Sequence, residues 1–162
     1  MPLESLWYWL EGLAVSAAIR ESQWLFPLIE IAHVLTLAIT VGTIALLDVR
    51  LLGLALRDRS VQAVAAEVLP FTWIAFALTL VSGLLMFASA ASYYLIVPAF
   101  LYKLACLALA GINMLVLRCG AWRGIATWQE EKDIPLAART AAGISLLFWS
   151  GVVIFGRWTG FF

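Results

Sequence analysis

His33 offers the widest range of chemistry in this chain, because it is the only histidine among 162 residues. A neutral imidazole inside a protein can bind haem iron or copper, relay a proton, or form a structural hydrogen bond. Glu30 lies three positions before it, so the two side chains share one face of a helix. The sequence alone leaves these roles of His33 open.

Three further side chains fall in hydrophobic segments at a depth similar to that of His33: Met86, Lys103 and Arg157. The second axial ligand of a b-type haem would be Met86, Lys103, water or a group from another subunit. Lys103 and Arg157 suit the haem propionates, because both cations pair with carboxylates. We therefore predict a haem b site in which His33 is the metal ligand and the other three residues complete the cofactor-binding set.

Copper is the alternative metal for the same region. Soft Met and Cys ligands select Cu(I), and Met86, Met114 and Cys106 supply such atoms. The sequence holds no M-x-x-M or C-x-x-C pattern, however, and both residue types are common fillers of apolar cores. A chain without any cofactor is the third alternative.

Three polar residues in or beside the hydrophobic segments are predicted to be structural: Glu30, Asp48 and Asn113. Ionisable groups are costly in lipid, so they usually face the interior of a helix bundle and pair there. We expect a buried ion pair between Glu30 and Lys103. Asp48 is expected to pair with Arg118 or Arg139, and Asn113 to bridge two helices by hydrogen bonds.

The composition of the chain indicates the environment of the helices that carry these side chains, because it is very apolar. Hydrophobic residues make up 64% of the chain and charged residues 12%, and ten basic residues balance ten acidic ones. The mean hydropathy is +1.00. One core could not hide that much apolar surface from water. The composition therefore excludes a soluble globular enzyme, a disordered chain and an electrostatic nucleic-acid binder, and it makes the lipid bilayer the expected partner.

Four segments have the length of about 20 mostly apolar residues that a transmembrane helix needs. They span residues 24–47, 69–91, 99–117 and 140–156. Pro70 and Pro98 are placed at helix starts, where a missing N–H costs nothing. The small and polar residues of each segment share one face, which predicts an all-α, integral-membrane four-helix bundle in a single domain over residues 1–162.

The N-terminal residues 3–19 show a different pattern. Apolar residues recur there at helical spacing, with Glu4 and Glu11 on the other side. This predicts an amphipathic helix at the membrane interface, with Trp7 and Trp9 at headgroup level. The alternative is a fifth hydrophobic segment packed on the bundle. No basic region precedes a short apolar stretch, so we expect no cleaved signal peptide.

Basic residues predict the orientation of the bundle. The first and third loops hold Arg50, Arg57, Arg59, Arg118, Arg123, Lys132 and Arg139. Cytoplasmic loops carry the excess of Lys and Arg, so we expect a multi-pass protein of a bacterial inner membrane with both termini outside. Residues 120–135 are interpreted as a solvated connector.

Small residues and cysteines give weaker indications. Gly156 and Gly160 form a small-xxx-small pair, which favours contact between subunits of a homo-oligomer. Cys106 and Cys119 fall on one predicted helix at a separation of roughly 20 Å, so they cannot form a disulfide with each other.

The chain resembles a bacterial family of small four-span membrane proteins of unknown function in three stretches, WLFPLIEIAHVLTLAITVGTIALLDVRLLGLAL, PFTWIAFALTLVSGLLMF and PAFLYKLACLALAGINMLVL. The residues that carry the resemblance are His33, Gly42, Asp48, Arg50, Gly53, Gly83, Lys103 and Asn113. More distantly, the layout is similar to copper-resistance D and cytochrome b-type four-helix membrane proteins. In those proteins a histidine early in the bundle is a metal or haem ligand. His33 matches that position, whereas the other histidines of the haem-binding relatives are absent here.

The predicted function is a membrane-embedded haem-b-binding or electron-transfer protein with His33 as axial ligand. The alternative is a cofactor-free oligomeric scaffold or small-solute pathway, in which His33, Glu30 and Lys103 form a structural polar cluster. No nucleotide loop, hydrolytic triad or zinc motif occurs. An enzymatic role would therefore be that of a redox component at most, and the sequence identifies no redox partner.

Overall fold

The computed structural model describes residues 2–128 and 133–161, with side chains from residue 5 onward, and this described chain is helical without strands. Its α-helices are α1 (Pro2–Glu11), α2 (Ala14–Glu21), α3 (Leu25–Leu51), α4 (Val61–Ser89), α5 (Ala91–Ile96), α6 (Pro98–Cys119) and α7 (Leu136–Trp158). Two 3-10 helices follow α6 and α7, at Ala121–Thr127 and Thr159–Phe161. Residues 129–132 of the predicted connector lie outside the described residues.

Four helices of the described chain are long and apolar enough to cross a membrane, namely α3, α4, α6 and α7 with the turn that follows it. Many of their large apolar side chains are exposed, among them Leu28, Ile74, Leu115 and Leu147. A continuous apolar surface of this kind is stable against lipid chains and unfavourable in water. The predicted all-α fold with four spans is confirmed, and the chain is a multi-pass membrane protein.

The second span begins well before the predicted residue 69. Ser60 caps α4, because its Oγ accepts a hydrogen bond from the Ala63 N–H at 3.2 Å. Pro70 consequently lies inside α4, and the prediction that it begins a helix is wrong. Spanning helices tolerate an internal proline when neighbouring groups satisfy the freed backbone. Pro98 begins α6, as predicted.

The N-terminal segment forms two helices, so the prediction of one helix over residues 3–19 is wrong in this respect. Leu13 is extended (φ −62°, ψ 143°) between α1 and α2. Gly12 precedes it, and glycine is a poor helix former. The Gly12 N–H closes α1 on the carbonyls of Tyr8 and Trp9, at 2.9 and 3.1 Å. The break lets α1 pack against α5 while α2 packs against α3 and α4.

The four spans pack as two antiparallel pairs, α3 with α4 and α6 with α7, and the pairs meet where α3 contacts α7. Among the described helices, α4 and α6 scarcely approach each other along their lengths. They meet near α5, where the rings of Phe87 and Phe100 stack with centroids 5.6 Å apart. We call this end of the bundle the α5 end, and the opposite end, with residues 52–60 and 121–127, the loop end.

Hydroxyl groups join α3 to α4. Thr79 donates from Oγ1 to Thr36 Oγ1 at 2.9 Å, and Thr72 Oγ1 lies 2.8 Å from Thr43 Oγ1. Small-residue contacts join α6 to α7 instead. A Cβ built on Gly156 would lie 3.6–3.8 Å from the end of the Lys103 side chain. Gly156 therefore lies against a side chain of α6 in its own chain.

The N-terminal helices cover the α5 end of the bundle. The Trp7 ring packs edge-on against Phe87, with centroids 6.1 Å apart. Glu11 accepts hydrogen bonds from the backbone N–H and the hydroxyl of Ser92, at 2.7 and 2.6 Å. Arg20 donates to the Ser89 carbonyl at 3.0 Å, close to the last turn of α4. The predicted amphipathic segment is thus fastened to α4 and α5 by ring packing and hydrogen bonds.

Candidate functional site

His33 lies on α3 where this helix packs against α4, and 9% of its surface is exposed. Its Nδ1 lies 3.0 Å from the Thr79 carbonyl oxygen and 3.0 Å from Ser82 Oγ. A carbonyl oxygen only accepts, so Nδ1 carries the proton and donates it. The Ser82 hydroxyl donates to the Leu78 carbonyl at 2.7 Å, which leaves its lone pairs for the imidazole. The Nε2 of a neutral ring therefore keeps its lone pair.

Two other groups border the imidazole of His33. Lys103 of α6 lies close enough to act on it electrostatically. Gly83 of α4 packs on the ring edge, where a Cβ would lie only 3.0 Å from His33 Cε1. Nε2 forms no hydrogen bond to any of the described side chains or backbone groups. The ring is thus held from the Nδ1 side and packed along Cε1.

The remaining residues of the predicted cofactor set are only partly brought together. Arg157 follows Gly156, against which Lys103 lies, but its own guanidinium is exposed and sits 5.0 Å from the Phe161 ring centroid. Met86 is half-buried one turn beyond Ser82, and no described contact joins it to His33. The structure therefore groups His33 with Lys103 and leaves Met86 and Arg157 at the periphery.

The expected ion pair between Glu30 and Lys103 is not formed by these two described residues, so this prediction is wrong. The Glu30 side chain is exposed on α3 and lies near Tyr94 of α5. Lys103 instead extends along Gly156 of α7. Helical spacing placed Glu30 and His33 on one face, but the neighbouring helix beside each residue is different.

His33 does not line the cavity that the four spans form nearer the loop end. Gly83 also closes the Cε1 edge of the ring. No group of three or more His, Cys, Asp or Glu side chains in the described ranges could hold a metal ion.

That cavity encloses about 200 Å³ and is lined by all four spans. The lining runs from Thr43 to Leu51 on α3, Leu69 to Phe76 on α4, Leu107 to Arg118 on α6, and Ala141 to Trp149 on α7. Most of these side chains are apolar or aromatic. A few polar groups lie among them, which is the usual composition of a small-molecule site. We call it the Asp48 cavity.

Asp48 is the acidic residue of this lining, and only 5% of its surface is exposed. Its carboxyl group lies within hydrogen-bonding reach of Ser145 on α7. The other oxygen, Oδ2, is buried and finds no hydrogen-bond partner among the described residues. A buried polar atom without a partner costs about 1–3 kcal/mol, and more when it is charged. Asp48 therefore brings an incompletely hydrogen-bonded acidic group to the lining of the cavity.

The predicted pairing of Asp48 with Arg118 or Arg139 is not formed in the described chain. Asp48 faces Ser145 between α3 and α7, whereas Arg118 is exposed near the end of α6. Asn113 donates from Nδ2 to the Ala141 carbonyl at 2.8 Å, so it joins α6 to α7 beside the same cavity. Two of the three residues predicted to be structural, Asp48 and Asn113, thus line one site, and Glu30 lies elsewhere.

Sequence reasoning missed the aromatic and hydroxyl part of this site. Trp73, Phe76 and Trp149 form its walls, with Phe76 packed edge-on between the two indoles at centroid distances of 6.3 and 6.4 Å. No pattern in the sequence singled out Ser145 as a residue of this site. The available signal was the depth of Trp149, which lies too far from either membrane interface to belong to an aromatic belt.

The fold and this cavity define the class of the protein, a multi-pass helical membrane protein with a small polar-and-aromatic site between its spans. The chain belongs to the family described as "Family of unknown function (DUF6644)", whose model matches residues 27–162. No curated protein and no solved structure matches the chain. The expected membership in a family of unknown function is confirmed, and the more distant likeness to copper-resistance D and cytochrome b-type proteins is not shown.

Proposed function

We propose that the protein is a membrane-embedded binding protein that holds a small, mainly apolar molecule in the Asp48 cavity. The observation that carries the proposal is Asp48, which lines a cavity formed by all four spans and whose buried Oδ2 lacks a hydrogen-bond partner in the described chain. This is the small-solute form of the cofactor-free alternative. The polar residue that matters in it is Asp48 rather than Glu30.

Two glycines allow a matched test of this function. Gly111 lines the cavity and Gly143 does not, and a Cβ at either position meets nothing within 4 Å. Gly111→Leu should fill the cavity, whereas Gly143→Leu should add a leucine elsewhere on the bundle. Small molecules that copurify from native membranes are extracted and compared by mass spectrometry. Loss of one species from Gly111→Leu alone supports the proposal. Equal content in both variants and the wild type overturns it.

Haem or electron transfer at His33 is the second candidate function. It is favoured by the orientation of the imidazole, since a histidine that donates Nδ1–H to a carbonyl presents Nε2 for a metal. The second axial ligand of the haem would then come from water or from another subunit. Oxidised and dithionite-reduced absorption spectra of protein from haem-replete cells test it. A Soret band that disappears in His33→Ala supports haem, and a flat spectrum rejects it.

We also propose the bacterial inner membrane as the location, with the loop end in the cytoplasm and both termini outside. The excess of Arg and Lys in the two loops of that end supports this orientation. Cys119 is exposed at the loop end and gives a direct test. A membrane-impermeant maleimide should label it in inverted vesicles and spare it in intact spheroplasts. A Gly160→Cys, Cys119→Ser, Cys106→Ser variant should show the reverse.

A further inference from the structure

We infer that the ligand of the Asp48 cavity is a compact lipophilic amine, which enters from the bilayer between α4 and α6 and places its ammonium group on Asp48. This inference rests on the proposed function and adds the chemical class of the ligand and its route. It depends on three features of the described residues: the unpartnered acid, the aromatic walls and the gap between two spans.

The acid calls for a partner that donates hydrogen bonds and carries positive charge. Asp48 Oδ2 is buried without a partner in the described chain, and Ser145 serves the carboxyl group with an uncharged hydroxyl. The cationic residue that lines the cavity, Arg118, is exposed and forms no ion pair with Asp48. A buried carboxylate is stabilised by a cation that also donates hydrogen bonds to it. A ligand ammonium group supplies both.

The walls suit the apolar body and the charge of such a ligand. Trp73, Phe76 and Trp149 surround the space beside Asp48. Aromatic faces attract an ammonium group within about 6 Å, and the attraction grows when the cation is removed from water. The cavity volume of about 200 Å³ favours a compact cage or ring over a long chain.

The entrance follows from the packing of the spans. The pairs α3–α4 and α6–α7 meet through α3 and α7, and on the opposite side α4 and α6 scarcely contact each other in the described chain, so that only the 3-10 helix Ala121–Thr127 bridges α4 and the end of α6 there. A shallow surface depression lies on that side and shares Leu69, Trp73, Arg118 and Trp122 with the Asp48 cavity. These four side chains therefore separate the cavity from the lipid-facing surface. A molecule dissolved in the bilayer would enter there.

Three probes of one shape test the chemical class: 1-adamantylamine, 1-adamantanol and 1-adamantanecarboxylate. Binding to the full-length protein in detergent is measured by titration calorimetry at neutral pH. The amine should bind at least about tenfold more tightly than the alcohol, and the carboxylate should bind weakest, because a like charge beside a buried acid is unfavourable. An amine that binds no better than the alcohol overturns the inference.

Asp48→Asn keeps the size of the side chain and removes its charge, so it should abolish the preference for the amine over the alcohol. Asp58→Asn is the matched control, because Asp58 is an exposed loop acid that does not line the cavity. A preference that survives Asp48→Asn overturns the inference. If Asp48→Asn fails to fold, Ser145→Ala, which should weaken amine binding at least threefold, replaces it.

The same titrations separate this inference from the proposed function. Binding of all three probes with equal affinity, lost in Gly111→Leu and kept in Gly143→Leu, rejects the amine and retains the cavity as a binding site. Binding that is insensitive to Gly111→Leu rejects both. For the route, Leu69→Trp or Arg118→Trp should slow association and dissociation of the amine together in stopped-flow tryptophan fluorescence. Unchanged rates in both variants reject entry between α4 and α6.

Discussion

Gly151 of α7 and Cys106 of α6 are so close that a Cβ on Gly151 would lie 2.8 Å from the Cys106 sulfur. This contact brings α6 and α7 together at mid-height of the pair. Substituting Gly151 with alanine should lower the free energy of unfolding by about 1–3 kcal/mol, because the added carbon forces the sulfur or the helices to move. Unfolding in detergent with increasing denaturant measures the change.

The double variant Gly151→Ala, Cys106→Ala distinguishes a specific clash from a general effect of alanine. Removal of the sulfur should recover most of the lost stability. Gly143→Ala serves as the control, since its Cβ meets nothing within 4 Å and alanine favours a helix by about 1 kcal/mol over glycine. Equal destabilisation by Gly151→Ala and by the double variant would contradict the assigned contact.

Gly83 and His33 form the corresponding contact between α3 and α4. Gly83→Ala should place a methyl group 3.0 Å from His33 Cε1 and displace an imidazole that is held by the Thr79 carbonyl. The expected loss of stability is about 1–2 kcal/mol. The imidazole ¹⁵N resonances should also change, because the hydrogen bond from Nδ1 lengthens. Unaltered resonances in a folded Gly83→Ala protein would show that the ring does not lie against Gly83.

The hydroxyl contact between Thr36 and Thr79 should contribute little stability despite its good geometry at 2.9 Å. Hydrogen bonds between spanning helices average about 0.6 kcal/mol in double-mutant cycles, because the unfolded chain in the membrane also finds partners. A cycle of Thr36→Val and Thr79→Val should therefore give a coupling energy of that size. A coupling above about 2 kcal/mol would indicate that the two hydroxyls belong to a larger network.

The Glu11–Ser92 contact should make the attachment of α1 depend on pH. The hydrogen bonds from Ser92 lower the pKa of the Glu11 carboxyl group below its ordinary value, because they stabilise the charged form. The attachment is therefore complete above the ordinary pKa of a glutamate and is lost as the pH falls through the lowered value. The protection factor of the Ser92 amide in hydrogen exchange should fall over that acidic range. In Glu11→Ala this protection should be low at every pH, whereas in the control Glu21→Ala it should follow the wild type.

The length of the apolar segments was sufficient to predict four spans, and helical periodicity was sufficient to predict that His33 faces inward. It could not predict which helix would lie opposite each residue, because periodicity places a side chain on a face and says nothing about the order of helices around the bundle. Glu30 was matched with Lys103 for this reason, and Asp48 with Arg118. In the structure Asp48 meets Ser145, an uncharged residue that no charge-pairing argument would select.

The boundaries of α1 and α4 were not predicted correctly, for a different reason. Pro70 looked like a helix start because proline is favoured there, but the hydroxyl of Ser60 already caps the helix further upstream. Gly12 falls within the helix predicted over residues 3–19, although α1 ends at the residue before it. The boundary at Ser60 depends on a hydrogen bond to a side chain, and the boundary at Gly12 depends on a backbone N–H shared by two carbonyls. Hydrophobic spacing predicts neither contact.

The two helix pairs are joined differently at the two ends of the bundle. At one end α4 and α6 are tied together by six residues of helix and by the stacked rings of Phe87 and Phe100. At the loop end the pairs are joined by the contact of α3 with α7 and by that of the 3-10 helix Ala121–Thr127 with α4, whereas α4 and α6 themselves scarcely contact each other in the described chain. Separation of α4 from α6 would therefore cost least beside Leu69 and Arg118, because the stacked rings hold the two helices together at the α5 end.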